Sequence, residues 1–321
     1  MQFHEGLALA SRMNHATRIV SLLPAATEIV AALGCAQQLV GRSHECDFPA
    51  GLEHVAVLTH PSLEAAAGSA AIDAEVVARV ARALAIFELD LEGLRAVRPD
   101  LILTQDLCSV CAVSAADVTQ ALRALGLEHC TVLSLAPTRL DAILGDLRRV
   151  ADALGALAAG RRLLEVLEAR IQRVRGRTVS LPRRLVLTLE WLAPPIVGGL
   201  WMADLIELAG GEALATRAGE PGRPLDRHEL ASLHPDVIVL KPCGYPIART
   251  LAEPELLREV LGQIGGPAVQ EGEVWIADGN AFFNRPGPRI VDSLEILGCC
   301  VHPEAFPDLA ERRRPGFERL R

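Results

Sequence analysis

The chain has 321 residues, 50% of them hydrophobic and 22% charged, with a formal net charge of −8. That balance buries a sizeable core and excludes a disordered chain. The absence of a basic stripe excludes nucleic acid as a partner. Ile19–Val40 is the most apolar early stretch, but Pro24, Thr27, Glu28 and Gly34 interrupt it, so no membrane insertion is expected. No apolar run of signal-peptide length opens the sequence. This predicts a cytoplasmic location, or a periplasmic one if an export signal is encoded upstream. In the cytoplasm the eight cysteines would stay mostly reduced, which favours metal or redox roles over structural disulfides. Lys241 is the only lysine, all other Lys/Arg positions being arginine, a bias that reads as coding preference.

In chain order, Arg18–Leu22 (RIVSL) predicts a strand. Pro24-Ala-Ala-Thr27-Glu28 leads into a helix stopped by Gly34, with Thr27 as its expected N-cap. Leu39–Gly41 is the next strand, and residues 72–87 and 90–97 read as helical. Leu101–Thr104 is a strand, Ala115–Leu125 a helix ended by Gly126, and Thr131–Leu133 a strand. Strands alternating with helices predict a parallel α/β lobe. From Leu140 to Arg175 apolar residues recur at three- and four-residue steps without a proline. That stretch reads either as one rigid spine or as two helices broken near Gly155 and Gly160.

The second half repeats the logic. Arg184–Leu189, Val237–Leu240 and Val274–Ala277 are strands, and Met202–Leu208 is a helix ended by Gly210-Gly211. LEGLRAVRPDLILTQDLC (91–108) parallels HELASLHPDVIVLKPCG (228–244). In each, a short helix runs into x-Pro-Asp, then a buried strand, then a loop bearing cysteine.

Loops after parallel strands open on the carboxyl edge of a sheet, where ligands bind. Those loops carry His44-Glu45-Cys46, Cys108-Ser-Val-Cys111 and Cys243. Thiolate and imidazole suit zinc, and four cysteines suit an iron–sulfur cluster. His44, Cys46, Cys108, Cys111 and Cys243 are therefore candidate metal ligands, with a thiol–disulfide pair at 108/111 or simple buried packing as alternatives. Cys35, Cys130, Cys299 and Cys300 read as packing residues. Glu45 and Glu190 are candidate ligand contacts. So are Trp191, Trp201, Tyr245, Phe282 and Phe283, an aromatic concentration that suits a bulky organic ligand or, alternatively, loop packing. Arg285 suits a carboxylate or phosphate, or caps the final helix together with Arg289. Asn280 and Asn284 are weaker candidates. No phosphate loop, no G-x-G-x-x-G after the first strand and no G-x-S-x-G elbow occurs, which weakens nucleotide and hydrolase readings.

RIVSLLPAATEIVAALGCAQQLVGRSHECDFP, the PDLIL and PDVIV segments, IVGGLWMADLIELAGGEAL and DGNAFFNRPGPRIVDSLEILGCCVHPEAF together carry a resemblance. Over residues 17–306 the chain resembles the class III ABC-transporter substrate-binding proteins for vitamin B12 and iron-siderophores, in particular a cobalamin-binding-protein-like subgroup. The resemblance implies an α/β fold of two Rossmann-like lobes joined by a long bridging helix, with the ligand cleft between the lobes. The expected division is an N-terminal extension at 1–16, a first lobe at 17–138, a bridging helix at 139–177 and a second lobe at 178–321. It implies a corrinoid such as cobalamin, or a metal chelate, as the bound small molecule, and an ABC permease as partner. Exported members dock through one glutamate per lobe. Glu92 matches that position in the first lobe. In the second, Glu229 is one residue out of register and His228 is in register. The competing expectation is a cytoplasmic metalloprotein or redox enzyme, with a Cys/His zinc or iron–sulfur site on the same fold.

Overall fold

A computed structural model describes residues 17–61, 68–81, 87–106 and 114–320. The chain forms two α/β units. Ala67–Asp73, Thr138–Leu140 and everything from Leu167 onward belong to the second, and the rest to the first.

In the first unit, strands β1 (Ile19–Ser21), β2 (Leu39–Arg42), β3 (Ala56–Val57), β6 (Leu101–Gln105) and β7 (Thr131–Leu135) form a sheet of order β3-β2-β1-β6-β7. All its pairings are parallel. Strands β4 (Thr59–Pro61) and β5 (Phe87–Leu89) make a separate antiparallel pair. Central β1 and β6 are buried at every residue, the condition that makes such strands read as unbroken apolar runs. Val20, Leu22, Ile102, Val118 and Leu122 form the core beside them. Each such side chain contributes about 1.5–3 kcal/mol by leaving water.

Local chemistry sets the helix boundaries. Pro24 occupies the first turn of helix Pro24–Ala32, where its missing N–H costs nothing. The helix therefore starts before Thr27, which lies inside it rather than capping it. In helix Ala115–Leu125 the Ser114 side chain accepts from the Asp117 N–H at 3.1 Å, and Gly126 closes it with φ 68°, as expected. The helix expected over 72–87 is Ser69–Ala81, and Phe87 opens a strand instead.

The long apolar pattern resolves into two helices, Leu140–Ala153 and Leu157–Thr178. Gly155 breaks it at φ 65°, with the Ala156 N–H turned back to the Ala151 carbonyl at 2.8 Å. Gly160 does not break the second helix; a Cβ there would stand 2.5 Å from Ala151 Cβ, so glycine lets the two helices meet. Helix Leu157–Thr178 carries the chain from the first unit into the second: residues to Val166 belong to one and those from Leu167 to the other.

The second unit contains β8 (Arg184–Leu192), β9 (Pro195–Val197), β10 (Gly211–Ala213), β11 (Val237–Leu240), β12 (Val274–Ala277) and β13 (Phe317–Arg319). The order is β10-β8-β11-β12-β13, with β9 paired to β8. Its first four strands run parallel, while β13 and β9 are antiparallel additions. The run β10-β8-β11-β12 reproduces β2-β1-β6-β7 of the first unit. Leu187, Leu189, Ile238, Leu240 and Ile276 fill its core.

The sequence repeat has an atomic counterpart. Asp100 Oδ2 accepts the Arg18 N–H at 2.8 Å, and the Asp100 N–H returns to the Arg18 carbonyl at 2.9 Å. In the second unit Asp236 Oδ2 accepts from Leu185 N at 2.7 Å, and Asp236 N donates to the Leu185 carbonyl at 2.8 Å. Each x-Pro-Asp thus clips the start of the adjacent central strand, satisfying backbone groups that would otherwise stand unpaired.

Candidate functional site

In the first unit, the carboxyl ends of β1 and β2 carry a polar cluster. Thr27 Oγ1 lies 2.8 Å from Ser21 Oγ and 3.0 Å from Cys46 Sγ. Cys46 is only 3% exposed, so its thiol is packed into this hydroxyl network rather than presented at a surface. His44 Nδ1 sits 2.7 Å from Thr59 Oγ1, and Thr59 reaches Ser43 Oγ at 3.0 Å. The other imidazole nitrogen lies 3.3 Å from Glu45 Oε1, and Glu45 is the more exposed of the two. Cys108 and Cys111 lie outside the described residues. Among the described residues no group of three or more His, Cys, Asp or Glu side chains is arranged to hold a metal ion. Burial raises the thiol pKa of Cys35, Cys130, Cys299 and Cys300, to about 12 for Cys130 and Cys299. Such thiols are poor metal ligands and nucleophiles.

In the second unit, β8 runs through Leu192, so Glu190 and Trp191 lie within the strand rather than in a loop after it. Pairing with β9 extends the strand past its buried core. Glu190 Oε2 accepts the Gly199 N–H at 3.1 Å and the Lys241 ammonium at 3.2 Å. Lys241, directly after β11, also reaches Asn284 Oδ1 at 3.0 Å. Exposed Cys243 donates its N–H to the Glu190 carbonyl at 2.9 Å. Glu190, Lys241, Cys243 and Asn284 are thus brought together at the carboxyl edge of this sheet.

The aromatic candidates divide. Trp191 is half-buried and meets Tyr245 edge-on, with centroids 5.2 Å apart. Tyr245 is buried, with Arg249 stacked 4.2 Å over its ring and Ser69 Oγ 3.4 Å from its hydroxyl. Glu253 fixes Ser69, accepting from its hydroxyl at 2.9 Å. Trp201 and Phe283 are buried, and Trp201 Nε1 donates to the Phe283 carbonyl at 2.8 Å. They pack within the unit and leave little ring surface for a ligand. Phe282 lies under the Arg289 guanidinium at 5.5 Å. Arg285 is buried and donates to Asn280 Oδ1 at 3.0 Å.

The sequence reading passed over Lys241. The available signal was compositional: a lone lysine among arginines marks a position that wants a compact ammonium rather than a planar fork.

The two docking positions also differ. Glu92 is exposed and, among the described residues, has no partner. It lines an open depression of about 790 Å³ with Arg18, Arg95, Ala96 and Arg98. Glu229 instead closes a capping box, accepting from Asp226 N at 3.0 Å while Asp226 accepts from its own N–H at 2.8 Å. It also pairs with Arg223 at 2.8 Å.

Comparison with known proteins places this geometry. A vitamin B12-binding protein from Yersinia pestis is 24% identical over 91% of this chain and 88% of its own length. The periplasmic vitamin B12 binding protein BtuF of Vibrio cholerae superposes with a TM-score of 0.65 at 21% identity, covering 90% of this chain and 97% of that one. The periplasmic heme binding protein HutB of Vibrio cholerae gives 0.68 at 18% identity, covering 90% and 100%. These structural likenesses establish the fold. The periplasmic character of the relatives overturns the cytoplasmic location expected above, and no helix among the described residues is long and apolar enough to cross a membrane. The family model for periplasmic binding proteins matches residues 19–281, and the chain belongs to that family.

Proposed function

We propose that this protein binds a corrinoid of the cobalamin type and delivers it to an ABC permease. The observation that carries the reading is the vitamin B12-binding relative aligned over 91% of the chain. The duplicated α/β units support it, since each presents polar side chains at the carboxyl edge of its sheet. In the first unit Glu45 and His44 are the candidate ligand contacts. In the second they are Glu190, Trp191, Phe282 and Cys243, while buried Tyr245, Trp201, Phe283 and Arg285 hold the loops that carry them. A zinc or iron–sulfur centre has no part in this reading, because Cys46 is packed against Thr27. Glu92 is the permease-facing residue of the first unit, and His228 takes the corresponding place in the second.

Titration of the purified protein with cyanocobalamin, followed by tryptophan fluorescence and by the corrin absorbance, tests this. Saturable one-to-one binding is expected. Binding of hemin alone, or of neither compound, overturns it.

A further inference from the structure

The only lysine of the chain is 1% exposed. Its ammonium donates to Glu190 Oε2 at 3.2 Å and to Asn284 Oδ1 at 3.0 Å. Asn284 is committed inward too, its amide nitrogen donating to the Gly279 carbonyl at 2.8 Å and the Lys241 carbonyl at 3.3 Å. The surrounding wall is close. A Cβ on Gly198 would stand 3.2 Å from Lys241 Cε and 2.5 Å from Thr188 Oγ1. Such a space admits a slim ammonium but not a guanidinium fork. The pair is therefore lopsided: the Lys241 side chain is 1% accessible and that of Glu190 is 27%. The positive member is walled in, and the negative member is its outward face. Lys241 and the Gly199 N–H both hold Oε2, so the carboxylate is fixed in place with acceptor capacity left over.

We infer that Glu190 is a specificity-determining residue. It accepts a hydrogen bond from a carboxamide N–H on the periphery of the macrocycle and rejects ligands whose periphery carries carboxylates. This rests on the corrinoid reading above and adds a selection within it. An amide donor gains a charge-assisted bond at Glu190. A ligand carboxylate meets a like charge instead, and Lys241, enclosed and committed to Glu190 and Asn284, offers it no donor. A site built to pair a specific polar group discriminates far better than an apolar pocket does.

The test uses the full chain and two corrins with the same metal and axial ligands. Dicyanocobinamide carries peripheral amides, and dicyanocobyrinic acid carries the corresponding carboxylates. Dissociation constants are measured for wild type, Glu190→Gln and Glu190→Ala, with thermal melts confirming that each variant is folded. Wild type is expected to prefer the amide corrin by about tenfold or more, equivalent to about 1.4 kcal/mol. Both variants should lose most of that preference, chiefly by gaining affinity for the carboxylate corrin. Equal binding of the two corrins by wild type overturns the inference without needing a variant. A preference that survives in both variants also overturns it, because the discrimination would then come from overall charge. Failure of both corrins to bind wild type would instead strike the corrinoid reading itself.

Discussion

The segment from Leu91 to Gln105 in the first unit and that from Arg227 to Lys241 in the second are two copies of one device. Asp90 and Asp226 cap the helices, Leu94 and Leu230 are fully buried beneath them, and Asp100 and Asp236 clip the neighbouring strands. These shared features are all ones that folding demands. The differences lie at the first turn of the helix and at the carboxyl end of the strand. Glu92 stands free where the second copy has His228, and Gln105 ends β6 where Lys241 follows β11. Divergence within a duplicated scaffold thus marks the positions that the shared sheet-building chemistry leaves free to vary, and these are the positions proposed above to meet a ligand or partner.

The largest effect should come from breaking that contrast at the strand ends. Lys241→Ala removes two charge-assisted hydrogen bonds and the counterion of the partly accessible Glu190 carboxylate and should cost about 2 kcal/mol. Gln105→Ala, at the matching place in the first unit, removes a buried side chain with no hydrogen bond among the described residues and should cost about 0.5–1 kcal/mol. Urea midpoints of the two variants measure the difference; equal losses would mean that Lys241 is ordinary packing. The docking pair comes next. Glu92→Gln should abolish permease-dependent corrinoid uptake at a cost of under about 1 kcal/mol, because Glu92 has no hydrogen-bond or ion-pair partner among the described residues and gives up only its place in the first turn of its helix. Glu229→Ala should leave uptake intact and cost about 1 kcal/mol through the lost capping box. Uptake assays beside thermal melts would show whether the roles are reversed.

The smallest effect is a pH dependence of opposite sign at two buried carboxylates, one in each unit. Burial works against the charge on Glu295, but hydrogen bonds from Arg170 and Arg313 outweigh it and hold its carboxyl below the usual range. A carboxylate so lowered contributes stability above its unfolded value and loses it as pH falls through its folded value. Asp146, in the first unit, is pushed the other way by burial despite its bond to Arg149. Its contribution is therefore present at low pH and lost as pH rises. Acidification below about pH 4 should weaken the second unit first. All three tryptophans, Trp191, Trp201 and Trp275, lie in that unit. Their fluorescence transition should precede the far-ultraviolet dichroism change, and Glu295→Gln should shrink the acid-induced drop in its urea midpoint. Coincident acid transitions that Glu295→Gln leaves unchanged would refute the assignment.

Elements bounded by local chemistry were legible in the sequence. Helix Ala115–Leu125 has its serine cap and terminal glycine, and β11 and β12 are bounded by turn residues. The x-Pro-Asp repeat marked both helix stops and strand starts, while the clips its aspartates make to the neighbouring strand appear only in the fold. Three features were not legible, each for a tertiary reason. Strand β8 overran its expected end because β9 pairs with it, and no local signal encodes that pairing. Trp201 and Phe283 sit in loop-like sequence yet are buried, since a loop folding back on its own unit looks the same in sequence as one facing solvent. Cys46 looked like a ligand beside His44, but Thr27, nineteen positions earlier in the sequence, claims its sulfur.

The enclosed single lysine makes the second unit its own reporter. An acylating reagent directed at primary amines finds one ε-amine in the chain, and in the folded state that amine is walled off. Modification at Lys241 therefore counts openings of the second unit one molecule at a time. Its slowing by a bound ligand would measure how much that ligand tightens the unit, with no engineered label.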